Sequence, residues 1–145
     1  MKRILFTIAL CGMTLIAKSQ TANVEKSTYG IQTGFLGIWV HNESKLTNSI
    51  ALRTEIGFDS GIWGGSFYDG TGFLMTPVIT AEPRWYYNLN KRESKSRRID
   101  GNSGNFVSLK TSYHPDWFVI SNTDNVSIIS DISIVPTWGI RRNVG

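Results

Sequence analysis

Apolar and polar positions alternate with a period of two along most of this chain. Between residues 49 and 58, Ile50, Leu52, Thr54, Ile56 and Phe58 alternate with Ser49, Ala51, Arg53, Glu55 and Gly57, as in a strand with one apolar face. A helix would spread the same apolar residues around its circumference, and Gly57 would weaken it, so a strand is predicted. The run 73–90 repeats the pattern. Pro77, Ile79, Ala81, Pro83, Trp85 and Tyr87 fall on one side, and Val78, Thr80, Glu82, Arg84 and Tyr86 on the other. Residues 105–114 set Val107, Leu109, Thr111 and Tyr113 against Ser108, Lys110 and Ser112. Residues 131–141 set Ile132, Ile134, Pro136, Trp138 and Ile140 against Ser133, Val135, Thr137, Gly139 and Arg141. A further strand, with blurred alternation, is predicted over 29–40. Polar or glycine-rich stretches at 41–48, 59–72, 91–104 and 115–130 separate these runs and are expected as turns and loops. Pro77, Pro83 and Pro136 count against central ladder positions, because proline has no N–H to donate.

Each predicted strand has one greasy side and one side carrying charge. In a soluble sandwich the charged side faces water, whereas in a membrane barrel the greasy side faces lipid and the charged side faces the lumen. Trp85, Tyr86 and Tyr87 stand together just before a basic segment, where a barrel places its aromatic belt, and Trp138 joins them. The pattern therefore predicts an all-β protein, an antiparallel up-and-down transmembrane β-barrel. Its lipid-facing residues are Ile50, Leu52, Ile56, Phe58, Ile79, Trp85, Val107, Leu109, Ile132, Ile134, Trp138 and Ile140. Arg53, Glu55, Glu82, Arg84, Lys110 and Arg141 are predicted to form a charge network in the lumen, since buried charges must pair. Filling is favoured over a pore, because about eight strands leave an interior just wide enough for side chains. The rival is a secreted soluble β-sandwich or lipocalin-like small-molecule binder, with the same apolar residues as a dry core.

Five strands are readable, and a complete barrel needs eight or more. The succession LRTEIG, EPRWYYNLNKR, NSGNFVSLKTSYHPDWFVISN and IVPTWGIRRNVG resembles the small outer-membrane β-barrel proteins of Bacteroidetes, many of them uncharacterised barrel-domain proteins. The resemblance spans residues 29–145. It implies an outer-membrane location and a barrel fold, and it supplies no catalytic residues. In that family further strands follow the segment matching 138–145, so the chain is expected to be C-terminally incomplete.

The first residues place Lys2 and Arg3 ahead of an apolar run over 4–17, followed by Ala17, Lys18 and Ser19. This is the layout of a secretory signal peptide over 1–19, with cleavage after Ser19. The run is too short for the ~20 residues of a spanning helix. Residues 20–28 are expected as a flexible lead and 29–145 as the barrel domain. Removing Lys2, Arg3 and Lys18 from the 15 basic residues leaves 12 against 11 acidic ones, a net charge of +1, so the overall basicity does not point to nucleic acid. The only cysteine, Cys11, leaves with the signal, and the remainder has no disulfide or thiolate chemistry.

Candidate chemistry is sparse. His41 and His114 fall at predicted strand ends, and neither has a serine and a carboxylate at a motif-like spacing. A barrel enzyme acting on lipid would need one of them beside a nucleophile. No metal-ligand spacing or phosphate-cradling glycine motif occurs, so no enzyme, cofactor or metal is predicted. Residues 91–98 hold five basic residues, but without stacking aromatics among them they are expected as a solvated loop rather than an anionic-lipid or nucleic-acid contact. The expected partners are outer-membrane lipid of a Gram-negative cell and its periplasmic chaperone and barrel-assembly machinery; no ligand is indicated. The loop lengths conflict with orientation. Long outer loops would put 59–72 and 115–130 outside, whereas a periplasmic N-terminus sends the first strand the other way. One unrecognised strand would reconcile them.

Overall fold

The computed structural model describes residues 22–65 and 70–143; the signal-peptide residues and Cys11 lie outside them. The chain forms β1 (Ser27–Gly34), β2 (Gly37–Lys45), β3 (Ile50–Trp63), β4 (Gly72–Tyr86), a short helix α1 (Leu89–Glu93), a 3-10 turn (Asp100–Asn102), β5 (Asn105–His114), β6 (Ile120–Ser121) and β7 (Asp131–Ile140). All seven strands belong to one antiparallel sheet in the order β1-β2-β3-β4-β5-β7, with β6 paired to the start of β4. The protein is all-β and its main strands follow one another up and down. β1 and β7 each have a single neighbour, so the described sheet is not closed into a barrel.

The run 29–40, expected as one strand, is a hairpin. Thr33 pairs with Ile38 and Gly34 with Gly37 across a turn at Phe35 and Leu36. The turn reverses the phase of the alternation, which is why the pattern blurred. Gly37 has φ +147°, and a Cβ there would stand 2.0 Å from the Phe58 carbonyl oxygen, so only glycine fits. β2 then runs on through residues expected as a turn, and β3 runs through Asp59 to Trp63 into the expected loop. The β5 bounds match expectation.

The prolines sit where the ladder tolerates them. Bridges between β4 and β5 cover 79–81 and 84–86 and omit Glu82 and Pro83. Pro77 lies beyond the last β5 partner, opposite Phe58 alone, and Pro136 of β7 has Leu109 of β5 as its one partner in the described sheet.

The extra strand places the N-terminal residues, the turn at 46–49, α1, the 3-10 turn and residues 141–143 at one end of the sheet. The turn at 35–36, residues 64–65 and 70–71 and the 115–130 connection lie at the other. Residues 22–26 do not form a loose lead. Ala22 and Val24 are buried with Ala51, Tyr86, Leu89 and Phe106, and Ile99 packs against them. Val24 N–H donates to Asn48 O at 2.9 Å, and Glu25 N–H to Asn102 Oδ1 at 2.6 Å. Burying a valine side chain contributes about 1.5–3 kcal/mol, and these hydrogen bonds add to it in holding the segment on the sheet.

Elsewhere the usual arrangement of a soluble protein is inverted. Most buried side chains on the sheet are polar or charged: Glu43, Arg53, Glu55, Thr80, Glu82, Arg84 and Ser112. The opposite face is apolar and exposed, with Ile56 at 56%, Ile134 at 61% and Trp138 at 59%. Ile79, Trp85, Val107, Leu109, Ile132 and Ile140 are also exposed, while Ile50, Leu52 and Phe58 are partly covered. The Phe118 ring, 6.0 Å from that of Phe58, packs back onto this face from the 115–130 connection.

Candidate functional site

The inner face is built from alternate residues of six strands, β1 to β5 and β7. In β2 these are Trp39, His41, Glu43 and Lys45. Because Glu43 is on a strand and not in a turn, it enters this face and is fully buried. It was missed in the sequence because HNESKLTN is polar throughout; extending the two-residue period from Trp39 would have found it.

Glu43 is the hub. Its Oε2 accepts from Arg84 Nη1 at 3.2 Å and from Arg141 Nη1 at 2.8 Å. Its Oε1 accepts from the Tyr86 hydroxyl at 2.9 Å and from Asn102 Nδ2. Four donors saturate the carboxylate, which is what a buried anion requires. Arg84 also donates through Nη2 to Glu82 Oε2 at 2.7 Å, and its guanidinium lies 4.4 Å from the centre of the Phe106 ring. Ser108 Oγ donates to Glu82 Oε1 at 2.6 Å. Gly139 makes room for this stack, since a Cβ there would meet the Phe106 ring at 2.3 Å.

A second group adjoins the first. Arg53 donates through Nε and Nη2 to Glu55 Oε2, and through Nη2 to Gln32 Oε1 at 2.9 Å. Lys110 Nζ stands 3.7 Å from Glu55 Oε1 and is more exposed. The six charged residues expected together thus lie on one face, with Lys110 at its margin and Glu43 added. A cavity of about 540 Å³ remains among Gln32, Arg53, Glu55, Glu82 and Lys110, with Leu36, Trp39 and Phe106 also in its wall.

Towards the end that carries the 115–130 connection, Asp59 accepts from Trp39 Nε1 at 2.6 Å and faces His114 Nε2 at 2.9 Å. His114 Nδ1 is 3.2 Å from Asp131 but off the line of a hydrogen bond. Ser60, next to Asp59, donates its hydroxyl to the Phe35 carbonyl and is not presented to the histidine as a nucleophile. His41 lies over Gly30, across the β1–β2 pair. Among the described residues no group of three or more His, Cys, Asp or Glu side chains is placed to hold a metal, and no helix is long and apolar enough to cross a membrane.

Of the residues expected in an aromatic belt, Trp85, Tyr87 and Trp138 gather on the outer face. Trp138 Nε1 donates to the Tyr87 hydroxyl at 2.8 Å, and the Trp85 and Tyr87 rings meet edge to face at 6.1 Å. Tyr86 does not join them. As the next residue along a strand it points to the opposite face, where it is 1% exposed and bound to Glu43. No protein-family model, curated protein or solved structure matches this chain.

Proposed function

We propose that this chain is part of an outer-membrane β-barrel with a structural or binding role, in which the apolar outer face meets lipid and the ion-paired inner face fills the interior. The observation that carries this reading is the inversion of the sheet: ion pairs are buried on one face while isoleucine, valine and tryptophan stand exposed on the other. In water such an apolar surface would demand a partner, and a sandwich would cover it with a second sheet; in hydrocarbon it is the favourable face. The two ends carry connections of both kinds, the 46–49 turn and the 87–104 segment at the N-terminal end and the 35–36 turn and the 115–130 connection at the other, so loop length assigns no orientation. The free edges of β1 and β7 are met by further strands, because unpaired backbone is not tolerated in lipid.

The test is expression of the full open reading frame in a Gram-negative host, fractionation, and gel mobility of the membrane fraction with and without boiling. Outer-membrane recovery with heat-modifiable mobility is expected. Recovery as a detergent-independent soluble monomer would sink the proposal in favour of the secreted binder.

A further inference from the structure

The basic segment after β4 does not lie open as a simple loop. It folds through α1 against the end of the sheet and encloses a cavity of about 370 Å³ with Tyr87 and with Arg142, which follows β7. Lys91, Arg92, Lys95, Arg97 and Arg142 line it, and none of the five belongs to an ion pair among the described residues. Asp100, close in sequence, is engaged instead with Arg98 at 2.7 Å and Asn143 at 3.2 Å.

Two of the guanidiniums are held in place by neutral groups that leave their charge intact. Arg92 donates through Nε and Nη2 to the Arg98 carbonyl, at 3.1 and 2.7 Å, and Arg142 donates through Nη2 to Asn105 Oδ1 at 2.7 Å. Partial burial, with Arg142 and Arg97 nearby, holds the Arg92 guanidinium below its ordinary value, as crowding of like charge requires. Such a cluster lacks a counter-anion, and fixed guanidiniums suit tetrahedral oxyanions.

We infer that this cavity binds a phosphate group, supplied by the headgroup of an anionic phospholipid. The position of the cavity names the source. Tyr87 is both a wall of the cavity and a member of the Trp85, Tyr87 and Trp138 cluster that ends the apolar outer face. A lipid whose chains lie along that face would bring its phosphate to the aromatic boundary, where the cations stand. This source rests on the membrane reading; recognition of phosphate does not. Nucleic acid fits less well, because among the described residues Tyr87 is the one aromatic ring in the cavity wall and its hydroxyl is tied to Trp138.

The experiment uses the full chain in zwitterionic detergent, with binding of phosphatidylglycerol and phosphatidylcholine read by native mass spectrometry and inorganic pyrophosphate as competitor. The test variant is Lys91→Gln/Lys95→Gln, whose side chains make no hydrogen bond or ion pair among the described residues, with Arg142→Gln as a second. Selective retention of phosphatidylglycerol, displaced by pyrophosphate and weakened about 10-fold or more in the double variant, is expected. Equal retention of both lipids, or undiminished retention in both variants, overturns the proposal. Pyrophosphate binding without lipid preference would assign the site to soluble phosphate and overturn the lipid source. Displacement of the lipid by a single-stranded oligonucleotide but not by pyrophosphate would make it a nucleic-acid surface. The pyrophosphate measurement needs no membrane, so it separates failure of the cavity from failure of the barrel.

Discussion

Arg141 Nη1 donates to Glu43 Oε2 at 2.8 Å, although Glu43 is on β2 and Arg141 directly follows β7, four steps away in the sheet. At about 4.8 Å per step, a flat sheet would hold those strands ~19 Å apart, beyond what one arginine and one glutamate span together. The sheet must curl towards its charged face. Arg53 to Gln32 and His114 to Asp59 also join strands two steps apart on the same face.

The saturated carboxylate at the centre of that curl predicts a large penalty for neutralising it. Glu43→Gln keeps the volume but leaves buried Arg84 and half-buried Arg141 without their shared anion, and is expected to destabilise by about 3–5 kcal/mol. Urea unfolding of the folded protein in detergent measures this. Adding Arg84→Gln should recover part of the loss in a double-mutant cycle; strict additivity would mean that the two side chains are not coupled.

Ile134 distinguishes a water-facing from a lipid-facing outer face. At 61% exposure, arginine there would change the stability of a soluble protein by no more than about 0.5 kcal/mol. Near the middle of a bilayer, Ile134→Arg or Leu52→Arg should disfavour assembly by about 2–4 kcal/mol. Wild-type yields of heat-modifiable protein from both variants would contradict a lipid-facing surface.

Gly37 governs the hairpin that sequence periodicity hid. Gly37→Ala places a methyl group against the Phe58 carbonyl and the Trp39 ring in a backbone conformation that alanine resists. A loss of about 1–3 kcal/mol is expected. An unchanged urea midpoint would show that β1 and β2 do not turn at this residue.

The two histidines bear on whether the chain is an enzyme. His114 faces carboxylates, and the nearby Ser60 hydroxyl is committed to Phe35. His41→Ala/His114→Ala is expected to assemble and to leave every measured lipid-modifying activity at the parent level. A fall in such activity with intact heat-modifiable mobility would make the chain a barrel enzyme.

What could be read in the sequence was the alternation itself. It placed Arg53, Glu55, Glu82 and Arg84 on one face, and 105–114 within its observed bounds, because a two-residue period survives whichever face meets water. What escaped was signalled by polarity. In an inverted sheet a polar stretch need not be a turn, so Glu43 was hidden inside HNESKLTN and Asp59 inside a presumed loop. The turn at Phe35 and Leu36 is apolar and showed itself only as a change of phase between two glycines. Packing of Ala22 and Val24, and the cavity joining Lys91 to Arg142, depend on contacts between distant parts of the chain that no local pattern carries.

The partners of Glu43 also order events in time. Arg84, Tyr86, Asn102 and Arg141 all follow it, by 41, 43, 59 and 98 residues. Hairpins added one after another from the N-terminal side would leave this carboxylate bare through the early steps, and its last bond would form only when β7 arrives. The hub is then a latch set at the end of folding rather than a nucleus at its start. Loosening it should quicken unfolding while leaving the folding rate nearly unchanged.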